Sequence, residues 1–256
     1  MGLEINRPLG VGGITSNLNL NRSRYIGFGN VGVDTFENTS VDRFTTENAI
    51  KRMIENNPKV KNIVKNFNPN LNLNITELKD LLQNHARDTK NIAKGIALNL
   101  PFALHNRVDM KALEDAAYLH DLGKVLIPRE VLNKPAKLND DEVKIMHTHS
   151  ELSYELLKNS GLNEKTLKLI RNHHQNAKKT GYPWVSNDFN ADLNLQILSV
   201  ADKYSALTEK RTYKEPLTSK QALTIIYKDV QDEKLHPFVF RALVNYVQSP
   251  SPVSVA

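Results

Sequence analysis

The stretch His120-Asp121-Leu122-Gly123-Lys124 places a histidine and a carboxylate side by side. A helical pattern over 109–121, capped by Asp109, precedes it, and Pro128 breaks the chain after it. Near the end of a helix, adjacent His and Asp side chains can reach one point in space, because the glycine lets the backbone turn away. Such a pair is common by chance, so it indicates a site only if other His and Asp side chains converge on it.

Composition limits the class of protein. The chain has 256 residues, of which 40% are hydrophobic and 24% charged, as is typical of a globular protein with a real core. It has no cysteine, which excludes disulfides and thiolate metal ligands and favours a reducing compartment, so we expect a cytoplasmic protein. The net charge of +6 is spread without blocks of like charge, and we expect no polymeric nucleic acid as partner. No long apolar run and no signal-peptide pattern is present, so we expect no membrane insertion.

The patterns along the chain divide it into three regions. Residues 1–44 are rich in Asn and Gly and lack periodicity, which predicts a flexible leader. Residues 45–70 predict two short helices that form an N-terminal helical segment. From 71 to 250 the pattern is helical nearly throughout, and this region is the predicted main domain. The sequence therefore predicts an all-α helical bundle.

Four further predicted helices carry polar residues on or beside the stripes that face the core. They cover 76–99, 139–159, 163–174 and about 190–209, with Thr76, Asn139 and Asn163 as caps. The polar residues on them are His85, His149, His173, His174 and Asp202. For one histidine alone, the ordinary interpretation is a core residue satisfied by a backbone carbonyl. For Asp202 alone, it is a solvated or ion-paired carboxylate at the edge of the stripe. Several together indicate a shared polar centre, because unsatisfied buried polar groups are costly.

These side chains are metal ligands by type. Imidazole and carboxylate groups bind Zn, Fe, Mn or Co. Seven ligands are too many for one tetrahedral ion and suit two six-coordinate ions, for which Asp121 is the natural bridge. Two ions about 3.5–4 Å apart can activate a bridging water and stabilise a phosphoryl displacement. Lys124, just after the pair, can hold a phosphate oxygen as a point charge.

Taken in order, these motifs resemble the HD superfamily of metal-dependent phosphohydrolases and, within it, the HD-GYP branch. The resemblance covers roughly residues 76–230 and rests on His85, His120-Asp121-Leu122-Gly123-Lys124, His149, His173-His174, Gly181-Tyr182-Pro183, Ala201-Asp202 and Arg211-Thr212-Tyr213-Lys214. It implies an HD-domain helical bundle that hydrolyses a cyclic dinucleotide, such as cyclic di-GMP, through a metal-bridged water.

The resemblance also implies roles for individual residues. The metal ligands would be His85, His120, Asp121, His149, His173, His174 and Asp202. Asp121 and Lys124 would be catalytic; Lys124, Arg211 and Lys214 would contact substrate phosphate, with Tyr182 near the substrate. The implied cofactors are two divalent transition metals, Fe or Mn first, with Zn or Ni also acceptable.

The chain departs from the family pattern around these ligands. Gln175 stands where the family has Glu, Lys178-Lys179 replace Asp-Gly, and Ser205 replaces an acidic residue. Leu81 stands where some members carry an acidic residue that supports a third metal, so we expect two metals. Trp184 follows the Gly-Tyr-Pro motif, and we expect it to anchor the loop on the core, with stacking on a base as the alternative.

Three functions are consistent with these observations. The leading one is a cyclic-dinucleotide phosphodiesterase. The second is an HD phosphohydrolase that acts on another nucleotide or phosphate ester, which the altered loop at Lys178-Lys179 keeps open. The third is a non-catalytic signalling or binding module with the same fold. A homodimer or a signalling-protein partner fits each of them.

Overall fold

The computed structural model describes residues 41–209 and 215–249 and, within these ranges, contains only helices and turns. The α-helices are α1 Glu47–Glu55, α2 Pro58–Val64, α3 Ile75–Leu81, α4 Arg87–Leu98, α5 Phe102–His105, α6 Met110–Leu119, α7 Arg129–Leu132, α8 Asp140–Leu157, α9 Glu164–Asn172, α10 Leu193–Thr208, α11 Ser219–Gln231 and α12 Pro237–Gln248. None of these described helices combines the length and the apolar character that a membrane crossing requires. The predicted all-α class is confirmed.

Local capping signals fix where several helices begin. Asp109 accepts a hydrogen bond from the backbone N–H of Ala112 at 3.0 Å, which caps α6. The capping box at α8 forms as predicted: Asn139 accepts from the N–H of Glu142 at 2.9 Å, and Glu142 accepts from the N–H of Asn139 at 2.8 Å. Such caps satisfy N–H groups that have no partner within the helix.

α3 and α4 form one helical segment that a single π-helical turn, Leu82–Ala86, interrupts. The sequence predicted a continuous helix from Thr76, but the structure starts it at Ile75. The side-chain amide of Asn74, the residue before it, instead donates to the carbonyl of Ile127 at 2.5 Å. This bond ties the start of the helix to the segment that follows the His-Asp motif.

The core lies where the long helices cross. α4 packs against α6, α10 and α12, while α8 packs against α9 and the short 3₁₀ helix Leu122–Leu126. The largest fully buried side chains of these elements include Ile96, Leu113, Leu152, Ile170 and Leu198. Each contributes roughly 1.5–3 kcal/mol by leaving water. This packing brings the C-terminal ends of α6 and α9 to the middle of α8 and α10.

The N-terminal helices lie against the same bundle. α1 and α2 both pack on α8, and Ile50, Ile54 and Val60 are buried there. Asn57, which caps α2, donates from its side-chain amide to the backbone carbonyl of Glu155 at 2.6 Å. Residues 1–40 of the predicted leader lie outside the described residues, and Asp42–Phe44 form a short 3₁₀ helix.

Candidate metal centre

The structure brings all seven predicted ligands together from five helical elements. His85 comes from the π-helical turn, His149 from α8 and Asp202 from α10. The other four follow the ends of two helices: His120 and Asp121 after α6, and His173 and His174 after α9. Six of the seven are buried, and the His174 side chain is 26% exposed. The cluster therefore lies inside the bundle and opens toward solvent beside His174.

The ligand atoms form two groups with one carboxylate between them. Each group has three ligand atoms within 4.8 Å of one another: the first comprises His149, His173 and His174, and the second His85, His120 and Asp202. Asp121 faces both. Its Oδ1 lies 3.2 Å from His149 Nε2, and its Oδ2 lies 3.4 Å from His120 Nε2 and 3.6 Å from His85 Nε2. The two oxygens of Asp121 therefore face different groups of histidines.

Backbone carbonyls orient three of the imidazole rings. The Nδ1 atoms of His120, His149 and His173 each lie 2.7–2.8 Å from the carbonyl oxygen three residues earlier in the chain, on Ala117, Met146 and Ile170 respectively. A carbonyl can only accept, so Nδ1 carries the proton and Nε2 presents a lone pair to the centre. This outer hydrogen bond is typical of metal-binding histidines.

With these tautomers, the cluster contains atoms that other protein groups do not satisfy. His149 Nε2 lies 3.2 Å from His173 Nε2 and 3.1 Å from His174 Nε2. The lone pairs of His149 Nε2 and His173 Nε2 therefore face each other with no proton between them. His120 Nε2 and Asp121 Oδ1 are buried without a hydrogen-bond partner. Buried polar atoms are rarely left unpaired. A cation among these nitrogen and oxygen donors satisfies them all, and divalent transition metals fit this donor set.

Burial keeps one group of histidines neutral. It lowers the pKa of His149 and of His174 to about 3 each, and it holds the pKa of His173 well below the usual value. Desolvation penalises the charged imidazolium, which explains the direction. Neutral imidazole is the form that binds a metal.

The other group favours positive charge. Burial lowers the pKa of His120, but the carboxylates of Asp121 and Asp202 outweigh it and raise that pKa to about 10. Burial has the opposite effect on a carboxyl group and raises the pKa of Asp121. The positive charges of Lys124 and His120 outweigh burial and hold that pKa well below the usual range. Two ionised carboxylates in a buried site need compensating positive charge. Lys124 and protonated His120 supply it without a metal, and a bound divalent cation would take the place of the proton on His120 Nε2.

The predicted substrate-binding residues divide into two sets. Lys124 Nζ lies 2.5 Å from Asp121 Oδ2, and its side chain is 21% exposed, so it stands between the centre and solvent. The Tyr182 ring centroid lies 4.5 Å from that of His174. Arg211 and Lys214 lie outside the described residues.

The loop after α9 has contacts that sequence reasoning missed. His147, predicted to lie exposed and off the stripe, is exposed and stacks on Tyr182 with ring centroids 3.7 Å apart. Buried Gln175 donates to the carbonyl of Pro183 at 2.6 Å and accepts from the N–H of Gly181 at 3.2 Å. An ionised glutamate could not donate to the carbonyl of Pro183, so Gln at this position adds a hydrogen bond that stabilises the loop. Trp184 does not anchor the loop on the core, since it is 82% exposed.

Gly123 has a different role from the one predicted. Gly123 does not adopt the left-handed backbone conformation that a turn would require. Among the described glycines, Gly161 does, with φ at 84°. A Cβ atom on Gly123 would instead lie 2.2 Å from the backbone oxygen of His149. The residue is small because the segment after Asp121 packs directly on the backbone of α8, a long-range contact that a turn rule does not contain.

The chain is similar to one protein family and to several curated proteins. A family model described as HD domain matches residues 70–238. The cyclic di-GMP phosphodiesterase response regulator RpfG of Xanthomonas campestris pv. campestris is 38% identical over 123 residues, which cover 46% of this chain and 32% of RpfG. The 3'3'-cGAMP-specific phosphodiesterase 1 of Vibrio cholerae is 29% identical over 167 residues, which cover 65% of this chain and 37% of that enzyme. The chain thus matches only about a third of the length of these two relatives.

A solved structure supports the fold independently. Bd1817, an HDG"Y"P protein from Bdellovibrio bacteriovorus, matches with a TM-score of 0.50 over 64% of this chain and 51% of its own, at 14% sequence identity. The family match spans well over half of this chain and contains every residue of the metal cluster. The chain therefore belongs to the HD domain family, as its ordered His and Asp motifs predicted.

Proposed function

We propose that this chain is a metal-dependent phosphodiesterase that hydrolyses a cyclic dinucleotide such as cyclic di-GMP. The observation that carries the proposal is the buried cluster of five histidines and two aspartates, in which Asp121 faces two separate groups of ligands. The names of the relatives, a cyclic di-GMP and a 3'3'-cGAMP phosphodiesterase, point to the same class of substrate.

The proposed cofactors are two divalent transition metals, Fe or Mn, with Zn or Ni as alternatives. His149, His173 and His174 would hold one, His85, His120 and Asp202 the other, and Asp121 would bridge them. When bound, such a pair supplies an activated water and Lewis-acid stabilisation of phosphoryl oxygens.

Residues at the mouth of the cluster would position the substrate. Lys124 Nζ, partly exposed beside Asp121, would contact a phosphate oxygen as a point charge. The Tyr182 ring, beside His174, would line the substrate position. Arg211 and Lys214, from the Arg211-Thr212-Tyr213-Lys214 motif, would also contact substrate phosphate.

The altered loop does not itself favour another substrate. Lys178 Nζ pairs with the carboxylate of Glu233, and Lys179 Nζ donates to the carbonyl of Asn187. Lys178 thus ties the loop to the segment between α11 and α12, and Lys179 makes a contact within the loop, so the charge change relative to the family pattern has a structural use.

A substrate panel tests the proposal. The protein is stripped of metal, reloaded with Mn²⁺ or Fe²⁺, and incubated with cyclic di-GMP, 3'3'-cGAMP, mononucleotides and a generic phosphodiester, with products separated by chromatography. We expect metal-dependent turnover of a cyclic dinucleotide that H120A and D121A abolish. H236N is the matched control, because His236 caps α12 outside the cluster and Asn is also a good cap.

The same panel separates the alternatives. Turnover confined to mononucleotides or simple esters would move the chain to the second function, a phosphohydrolase with another substrate. No turnover by metal-loaded protein would leave a non-catalytic binding module.

A further inference from the structure

His85 is held differently from the three rings that donate to backbone carbonyls. Its Nδ1 faces side chains at the end of α10: Ser205 Oγ at 3.2 Å and Glu209 Oε2 at 3.4 Å. Its Nε2 faces the centre, 3.0 Å from Asp202 Oδ1. His85 itself lies in the π-helical turn, so these contacts join that turn to α10.

These contacts leave the imidazole a choice of two tautomers. A serine hydroxyl can donate to Nδ1, and the ring proton would then sit on Nε2 and point at the Asp202 carboxylate. In that tautomer Nε2, the nitrogen that faces the centre, has no lone pair for a metal. A carboxylate can only accept, so Glu209 beside Nδ1 requires the proton to be there. Nε2, which faces the Asp202 carboxylate, can then give its lone pair to a metal bound between them.

We propose that Glu209 is the positioning residue that fixes His85 in its metal-binding tautomer. The inference rests on the proposed function, in that the cluster must bind a divalent metal. The backbone supports this role: the N–H of Glu209 donates to the carbonyl of Ser205 at 2.8 Å, so the end of α10 holds the residue in place. The Glu209 side chain is 21% exposed and His85 only 5%, so the carboxylate closes the outer side of the ring.

Ser205 offers a way to test the carboxylate separately from its position. Its Oγ already lies near the same nitrogen, and residue 205 is one helical turn before residue 209 on α10. A carboxylate introduced at 205 would therefore face Nδ1 when the one at 209 is removed. The double variant S205D/E209A is the rescue for E209A.

The experiment measures Mn²⁺ affinity of the metal-free full chain by calorimetry, for wild type, E209A, S205D/E209A and the control E47A. Glu47 is an exposed carboxylate on α1, paired with Lys51. We expect E209A to weaken Mn²⁺ binding at one site by about 10- to 100-fold, as loss of an outer-shell partner typically does, and S205D/E209A to recover most of it. E47A should bind as wild type does.

A second measurement addresses the tautomer directly. Long-range ¹H–¹⁵N spectra of the protein loaded with diamagnetic Zn²⁺, with the ring assigned through H85N, should show the His85 proton on Nδ1 and a metal-bound Nε2 in wild type, and a population with a proton on Nε2 in E209A. Wild-type affinity in E209A, or a loss that S205D/E209A does not recover, would overturn the role of Glu209 alone. Absence of Mn²⁺ binding by wild type would overturn the proposed function together with it.

Discussion

Lys124 lies beside the carboxylate that faces both groups of ligands, yet an ammonium is not a metal ligand at neutral pH. Its Nζ contacts Asp121 Oδ2 at 2.5 Å. We expect K124A to lower kcat by about 10²–10³-fold, because the proposed contact of this cation with the transferring phosphoryl group would be lost. Metal content by elemental analysis should stay at the wild-type value.

K168A is the matched control, since Lys168 is exposed on α9 and pairs only across one helical turn with Glu164 among the contacts described. If K124A loses metal in proportion to activity, then Lys124 acts by holding Asp121 and not by contacting substrate.

Trp184 is the second residue whose exposure invites a test. It is 82% exposed and follows Tyr182 by two positions, so its Cα lies within about 7.6 Å of the Tyr182 Cα. An exposed aromatic side chain close in sequence to Tyr182 can stack on a base, which is worth about 1–3 kcal/mol. We expect W184A to raise KM for a cyclic dinucleotide by about 5- to 150-fold with kcat little changed, and W184F to keep most of the affinity.

Trp184 is the only tryptophan of the chain, so its fluorescence reports on this contact without interference from others. Titration of metal-free protein with the dinucleotide should quench the emission. Binding without any change in emission, together with an unchanged KM in W184A, would remove the stacking role.

At the level of elements, the 3₁₀ helix Leu122–Leu126 touches the backbone of α8 through Gly123. A Cβ there would lie 2.2 Å from His149 O and 2.6 Å from Ser153 N, so the two segments must separate in G123A. We expect a loss of about 1–3 kcal/mol in the free energy of unfolding, as for overpacking elsewhere. Asp121 and His149 flank this contact, so Mn²⁺ affinity should fall as well.

G161A separates the two effects. Gly161 has φ at 84°, and nothing lies within 4 Å of a Cβ placed there, so alanine costs about 1–2 kcal/mol of backbone strain without a clash. Urea unfolding should therefore detect both variants, whereas calorimetry should detect weakened Mn²⁺ binding in G123A only. Wild-type metal affinity in G123A would contradict the coupling between this packing contact and the centre.

Element boundaries were predictable where the signal is local. The caps at Asp109, Asn139 and Asn163 act within three residues, so the sequence contains the whole interaction. The inward position of His149 on α8 followed from the helical period of the apolar residues. The π-helical turn at Leu82–Ala86 did not, because nothing in the apolar spacing distinguishes it from an uninterrupted helix.

The parts of the site that could not be predicted depend on contacts between segments distant in sequence. Glu209 meets His85 only because α10 packs on α4, and His147 meets Tyr182 only because the loop after α9 folds over α8. A pattern that repeats along one helix contains no information on which other helix lies opposite.

At the scale of the whole molecule, one buried carboxylate links the N-terminal helices to the bundle. The Glu155 side chain on α8 is 1% exposed, and its oxygens contact Asn57 Nδ2 at 3.0 Å, Lys59 Nζ at 2.7 Å and Lys158 Nζ at 2.6 Å. Burial raises the pKa of Glu155, but hydrogen bonds from Lys158, Lys59 and Asn57 outweigh it and lower that pKa below the ordinary value of 4.5.

This lowered pKa predicts how stability depends on pH. A carboxyl whose pKa is lower folded than unfolded adds stability that is complete above the unfolded value, and loses it as pH falls through the folded one. We expect E155Q to unfold about 1–3 kcal/mol more easily than wild type at pH 7, and the difference to shrink once pH falls below about 4.5. Urea unfolding of the metal-free protein at several pH values measures this difference. E47Q is the control, because it removes an exposed ion pair between Glu47 and Lys51 that contributes little to stability. A difference that stays constant or grows in acid would mean that Glu155 stabilises the contact between α2 and α8 by packing and not by charge.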